Sequence, residues 1–243
     1  MIRCFSGTGN SRMVARELGD ELAQSRDDVV WVFPVHAWGV PRRVLDEIAH
    51  ASDVPSGARH WMIAVCGDDI GHTDREWRRA VEARGFTSAG AYSVAMPNTY
   101  ICLPGFTVDS PEVAARKLEA MPATVRSIRH DILAGRSDVR VTRGAFAGLK
   151  SGLLRWFFLR FLMSAKRFTV SEACNGCGTC ARLCPVGNIV IVNGRPEFGD
   201  RCTMCLACLH GCPRRAIDWG RFTRGKERYA PCRHESNVNT AAE

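Results

Sequence analysis

The sequence predicts an open α/β sheet of parallel strands followed by a small α+β domain that binds metal through cysteine. Three observations carry that expectation. A short apolar run at the start leads into a Gly/Ser/Thr loop and then a helical pattern. Later apolar runs of strand length each end in a loop rich in glycine or aromatic residues. Eight of the 12 cysteines fall between residues 174 and 212, in two copies of one spacing. With 243 residues, 46% hydrophobic and 24% charged, the chain has the balance of a globular protein, which excludes a disordered or collagen-like chain. No window of about 20 uncharged apolar residues exists, so no membrane span is expected. The start, Met1 to Gly7, lacks the apolar core of a signal peptide. A thiol-rich chain of this kind fits a reducing compartment, and a cytoplasmic location is the expectation.

Ile2 to Phe5 read as the first strand, and Ser6-Gly7-Thr8-Gly9-Asn10-Ser11 as the loop that follows it. A helix is expected from Arg12 to about Gln24, with Val14, Leu18 and Leu22 on one face. The loop has neither the Gly-Lys-Ser/Thr of a Walker A sequence nor the dinucleotide GxGxxG spacing. It offers hydroxyls and backbone N–H groups at a helix N-terminus with no lysine, which suits a phosphate monoester held by neutral donors. Val29 to Phe33 is a buried parallel-type strand ending in the aromatic loop Pro34 to Pro41, and Trp61 to Cys66 is another, ending in Gly67-Asp68-Asp69-Ile70-Gly71. Ala89 to Ala95 is the last strand and leads to Met96-Pro97-Asn98-Thr99-Tyr100. Ser110-Pro111-Glu112 opens a long helix that runs to about Leu133 and is closed by Gly135.

Charge is uneven. Residues 1 to 135 carry 15 Lys and Arg against 17 Asp and Glu, while residues 136 to 243 carry 18 against 8, so the halves are −2 and +10. No interleaving of aromatic and basic residues accompanies the basic half, and nucleic-acid binding is not expected. The excess arginine reads as compensation for anionic cofactors plus a docking surface, around Arg214, Arg215 and Arg221, for an acidic partner. The connector holds the apolar run Leu153 to Met163, too short and too charged to span a bilayer. Gly144, Gly148 and Gly152 form a stripe at spacing four that permits close packing. A clamp between domains is the first expectation for the connector; a homodimer or partner surface and membrane contact are the alternatives.

Cys174-x2-Cys177-x2-Cys180-x3-Cys184-Pro185 recurs as Cys202-x2-Cys205-x2-Cys208-x3-Cys212-Pro213, every member shifted by 28. Structural zinc would need only pairs of CxxC and gives no reason for a third cysteine or for the Cys-Pro step in both copies. Ile189 and Ile217 repeat at the same offset. His210, inside the second motif, is expected to be a packed or surface histidine, with tuning of a cluster as the alternative.

The segment from about 168 to 219 resembles the bacterial-type two-cluster ferredoxins. That resemblance implies two 4Fe-4S clusters, the first held by Cys174, Cys177, Cys180 and Cys212, the second by Cys202, Cys205, Cys208 and Cys184. The loop Ser6, Gly7, Thr8, Gly9, Asn10 and Ser11 resembles the FMN phosphate loop of flavodoxins. The loops Pro34, Val35, His36, Ala37, Trp38, Gly39 and Cys66, Gly67, Asp68, Gly71 match the second and third FMN loops of that fold, with Trp38 the expected stacking partner. In such a fold the loops converge where the strand order reverses. Cys4, Cys66 and Cys102 read as buried or idle thiols, and Cys232 as unimportant.

Taken together the chain resembles the flavodoxin-ferredoxin fusion proteins. The implied fold is a flavodoxin-like open parallel sheet plus a small α+β two-cluster ferredoxin domain. The implied domains are a flavodoxin-like FMN domain at 1–135, a connector at 136–167, the ferredoxin domain at 168–219 and a polar tail at 220–243. One departure is visible: flavodoxins place an edge strand between the first helix and the strand of the aromatic loop, and here only about Ser25 to Asp28 separate them. Either the edge strand is lost, leaving four parallel strands, or the sequence omits a segment. The implied function is electron transfer between FMN, two 4Fe-4S clusters and an external redox partner such as an acidic ferredoxin, a flavodoxin or a reductase. The alternative is a flavin-dependent reductase of a small organic acceptor, with the loop from Asn98 to Asp109 lining its pocket and His36 or Tyr100 as the proton donor. A redox sensor is a third reading, without a recognisable output module. No nicotinamide fingerprint is present.

Overall fold

The computed structural model describes residues 1–229 and divides into two compact units. Unit 1 comprises Met1–Ser6, Asn10–Asn98 and Asp109–Met163; unit 2 comprises Gly7–Gly9, Thr99–Val108 and, of the described residues, 164–229. Cys232 lies outside the described residues.

Unit 1 is a five-stranded parallel sheet in the order β1-β2-β3-β4-β5. Its strands are β1 (Ile2–Cys4), β2 (Asp28–Pro34), β3 (Arg59–Cys66), β4 (Thr87–Ala95) and β5 (Val139–Arg140). Alternate residues separate two layers. Val30, Val32, Trp61, Ile63, Val65, Tyr92 and Val94 form one core with Val14, Leu18 and Leu22 of α1 (Asn10–Leu18) and α2 (Asp20–Gln24), and with Met121, Val125, Ile128 and Ile132 of α5 (Pro111–Leu133). The other face is covered through α3 (Arg42–His50) and α4 (Thr73–Glu82), which pack on each other, Trp77 and Val81 being fully buried. Both central strands are buried along nearly their whole length, which is why they read as unbroken apolar runs. Their ends are fixed by Asp28, whose carboxylate accepts from Trp61 Nε1 at 2.7 Å and Arg59 Nε at 3.0 Å.

The expected helix from Arg12 to Gln24 is two helices, broken at Gly19, whose φ is +82°. The expected four strands are five: β5 comes from the connector and pairs with β4 at Ala91 and Tyr92. No strand lies outside β1 among the described residues, so β1 is an edge and the strand order never reverses; the switch point expected to gather the loops does not exist in this sheet. The crossovers β1→β2 and β2→β3 step in the same direction with helices on opposite faces, so they have opposite hands. An extra strand outside β1 would make both right-handed, the near-universal preference.

The connector does not stop at a linker. After β5 the chain forms α6, residues 147–162, in which α-turns at Ala147–Leu149 and Arg155–Phe157 alternate with π-helical turns at Lys150–Leu154 and Phe158–Leu162. Both β5 and α6 belong to unit 1, so the expected domain limit at 135 falls inside it.

Unit 2 shows the duplication as structure. β6 (Phe168–Val170), α7 (Thr179–Arg182) and β7 (Ile189–Val192) are followed by β8 (Arg195–Phe198), α8 (Ala207–Gly211) and β9 (Ile217–Trp219). The outer strands pair antiparallel, β6 with β9, and the inner strands likewise, β7 with β8. The start of the expected polar tail is part of this unit: Thr223 and Tyr229 are buried, and Arg228 donates to Asp218, Ile217 O and Thr223 O.

Candidate functional site

The two cysteine loops share a backbone. Gly176 and Gly178 adopt left-handed φ of 70° and 72°; 28 residues on, Met204 and Leu206 adopt 53° and 61°. This curl turns successive cysteines toward one centre. Cys174, Cys177 and Cys180 line a cavity together with Cys212 of the second copy, ringed by Gly178, Ile191, Pro213 and Ile217 and enclosing about 330 Å³ that is partly open to solvent. The second group forms around Cys208, whose neighbouring thiols are Cys205, Cys202 and Cys184, then Cys180. Each group therefore draws its fourth sulfur from the other copy. Backbone amides aim at the sulfurs at matched positions: Asn188 N donates to Cys184 Sγ at 3.2 Å, and Ala216 N, 28 residues later, to Cys212 Sγ at 3.3 Å.

The groups differ in exposure. Cys177 is exposed, and hydrogen bonds from Thr179 pull its pKa below the usual thiol value. In the second loop burial pushes the Cys205 thiol up to about 11 and the Cys208 thiol well up. Arg182 and Arg214 lie exposed near the first group, Arg214 lining its cavity. Arg215 and Arg221 are exposed as well. His210 is fully buried: Tyr229 N donates to its Nδ1 at 3.1 Å, which leaves Nε2–H to donate to Thr99 O at 2.7 Å. Burial lowers its pKa to about 4, so it is the neutral, packed histidine expected.

At the carboxyl edge of the unit 1 sheet, the first loop divides between the units. Ser6 Oγ accepts from Arg12 N at 3.4 Å, and Asn10 Nδ2 donates to Pro97 O at 2.9 Å. Ser11 is 1% exposed and its hydroxyl has no hydrogen-bond partner among the described residues, an orphaned donor that a phosphate oxygen would satisfy. Gly7 to Gly9 belong to unit 2, where Gly7 lies against the second cysteine loop; a Cβ on it would come within 2.6 Å of Cys205 Cβ.

The second loop is a tight turn closed by His36 N to Gly39 O at 3.0 Å and Gly39 N to His36 O at 3.2 Å. Its tip, Ala37 and Trp38, takes left-handed φ of 47° and 56°, which for non-glycine residues costs about 1–3 kcal/mol each. The turn is held by α6. Arg155 donates from Nη1 to His36 O at 2.6 Å and from Nη2 to Val40 O at 2.9 Å and Glu76 Oε1 at 3.0 Å. Ser151 Oγ donates to Trp38 O at 2.8 Å, and Lys150 Nζ covers one face of the Trp38 ring 5.6 Å from its centroid. His36 is half-buried, and burial, then the Arg155 charge, lower its pKa to about 4. At pH 7 it is therefore imidazole rather than imidazolium, with one ring N–H.

The third loop is tied down by cations. Lys117 Nζ donates to Gly67 O and Asp109 Oδ2, each at 2.7 Å, and Lys150 Nζ to Asp69 Oδ2 at 2.5 Å. Asp68 is exposed and Gly71 N donates to Asp69 Oδ1 at 3.2 Å. Cys66 and Cys102 are buried, and burial pushes each thiol up to about 12; Cys4 is exposed. The glycine stripe is only partly used: Gly148 lies against His72, while Gly152 faces nothing within 4 Å. Tyr100 sits in unit 2, not with His36, and the segment Thr99–Val108 is fastened there by Lys226 Nζ, which donates to Ile101 O, Leu103 O and Phe106 O at 2.7–2.9 Å. Arg155, Lys117 and Lys226 were not singled out from sequence. The one available signal was Arg155 itself, a charge interrupting an apolar run.

Residues 166–217 match the family model of the 4Fe-4S dicluster domain. No curated protein and no solved structure matches the chain. The parallel sheet of unit 1 is compatible with a flavodoxin-like fold, and no helix among the described residues is long and apolar enough to cross a membrane. The chain thus carries a ferredoxin-type 4Fe-4S dicluster domain, which supports an iron-sulfur electron-transfer role.

Proposed function

We propose that the chain is an electron-transfer iron-sulfur flavoprotein, passing electrons between FMN at the carboxyl edge of the unit 1 sheet, two 4Fe-4S clusters and an external redox partner. The observation that carries the reading is the gathering of eight duplicated cysteines into two groups of four, each completed by the other copy. Cys174, Cys177, Cys180 and Cys212 would hold one cluster, and Cys202, Cys205, Cys208 and Cys184 the other. The clusters supply one-electron transfer, and the flavin supplies a carrier that exchanges electrons singly or in pairs.

This chain's own residues do the rest. The amides of Asn188 and Ala216 donate to cysteine sulfur and stabilise its negative charge. Ser11 offers a hydroxyl to a phosphate, and Trp38, set at a strained tip and braced by Arg155, offers a ring for stacking. The exposed Arg182 and Arg214 beside the first group favour an acidic partner there. The reductase alternative needs the 98–109 loop to line a pocket, and the fastening of Thr99–Val108 by Lys226 weighs against it.

Anaerobic reconstitution of the full chain followed by metal and flavin analysis tests the reading. About eight irons and one FMN per chain are expected. Zinc in place of iron would overturn it, and iron without FMN would remove its flavin half.

A further inference from the structure

The connector helix α6 presents two unlike sides. Its α-turns hold about 3.6 residues and its π-turns, closed i→i+5, hold more, so their alternation brings residues four apart into line. One such line, Ser151 and Arg155, is spent on the loops of unit 1. The opposite line is Leu149, Leu153, Phe157 and Phe161, exposed by 51%, 62%, 49% and 46%, with Trp156 beside it at 58%. Contiguous apolar exposure of this kind marks an interaction surface.

On a regular α-helix Lys150, Arg155 and Arg160 would fall on different faces, which argues against an amphipathic surface helix. The structure removes the objection. Lys150 is taken by Asp69 and Arg155 by Glu76, leaving Arg160, exposed with its guanidinium over the Phe161 ring, as the cation on the outer side. From residue 139 to 171 the chain has seven Lys and Arg and no Asp or Glu. A second copy of this face would oppose arginine to arginine with no acid in the segment to receive either. A sheet of anionic headgroups receives both parts: phosphate for Arg160, acyl chains for the leucines and phenylalanines, and the boundary for Trp156.

We propose that the outer face of α6, built on Leu149, Leu153, Phe157 and Phe161 with Trp156 and Arg160 at its rim, lies flat on an anionic lipid surface. The full chain, with its cluster absorbance as the control for folding, is to be floated with vesicles of phosphatidylglycerol and phosphatidylcholine and with phosphatidylcholine alone. It should float with the anionic vesicles and weakly with the neutral ones, and high salt should reduce binding. Leu153→Glu with Phe157→Glu should lower partitioning about tenfold or more, Arg160→Glu by a smaller factor felt mainly at low salt, and neither should change the cluster spectrum. Absence of flotation with either vesicle would overturn the proposal, as would flotation untouched by the double substitution. A concentration-dependent dimer broken by the same substitutions, without lipid binding, would assign the face to a second copy.

Discussion

Three pairs of residues 28 apart share a left-handed backbone in unit 2: Gly176 with Met204, Gly178 with Leu206, and Gly187 with Arg215. In the first copy glycine takes the conformation at no steric cost. In the second, the non-glycine residue pays about 1–2 kcal/mol each. Met204 and Leu206 are 5% and 3% exposed, so the second loop carries buried bulk where the first carries glycine and has Cys177 exposed. Leu206→Gly separates these effects. Relief of strain offsets part of the lost packing, so unfolding by denaturant should show less than the about 2–5 kcal/mol usual for truncating a core leucine. Water admitted to that group favours the more negative reduced state, so potentiometric titration should show one of two midpoint potentials rising and the other unmoved. A shift in both, or in neither, would break the link between this side chain and one cluster.

At the scale of elements, α6 braces the loops at the carboxyl edge through Lys150, Ser151 and Arg155, and the arginine alone reaches three acceptors. Gly39 is glycine for that reason: a Cβ there would fall 2.1 Å from the Arg155 guanidinium. Arg155→Met would leave the carbonyls of His36 and Val40 and the carboxylate of Glu76 without their donor, at a cost of about 3 kcal/mol or more. Thermal unfolding should fall accordingly, and a fluorescence titration should show weaker FMN binding as the Trp38 turn loosens. Arg155→Lys should recover little, since one ammonium cannot span three acceptors held by a planar fork. An unchanged FMN affinity would detach the turn from the flavin. None of this bracing was legible in the sequence. β2 and β3 were, because strands buried on both faces write continuous apolar runs, and so was the break from 6 to 9 between β1 and α1, where small residues interrupt both patterns. β5 is two residues long, and its pairing with Ala91 and Tyr92 depends on where α5 delivers the chain. The partner of Arg155 depends on a contact across 119 positions. Periodicity within a window carries neither.

For the molecule as a whole, the duplication turns distance along the chain into a misleading guide to function. Cys208 lies in one short helix and Cys212 caps its end, yet Cys212 shares its cavity with Cys174, Cys177 and Cys180 while Cys208 groups with Cys184. The crossing follows from the strand pairing: β6 with β9 and β7 with β8 lay each copy's second half against the first half of the other. Serine substitutions read this directly. Cys180→Ser and Cys212→Ser, 32 positions apart, should abolish the same EPR signal and each remove about four irons, whereas Cys208→Ser, four positions from Cys212, should abolish the other signal. Cys184→Ser should match Cys208→Ser and not its sequence neighbour Cys180→Ser. If signals were instead lost by copy, Cys184 with Cys180 and Cys212 with Cys208, each repeat would be a self-contained site. The exchanged fourth cysteine, which ties the two halves into one fold, would then have no chemical role.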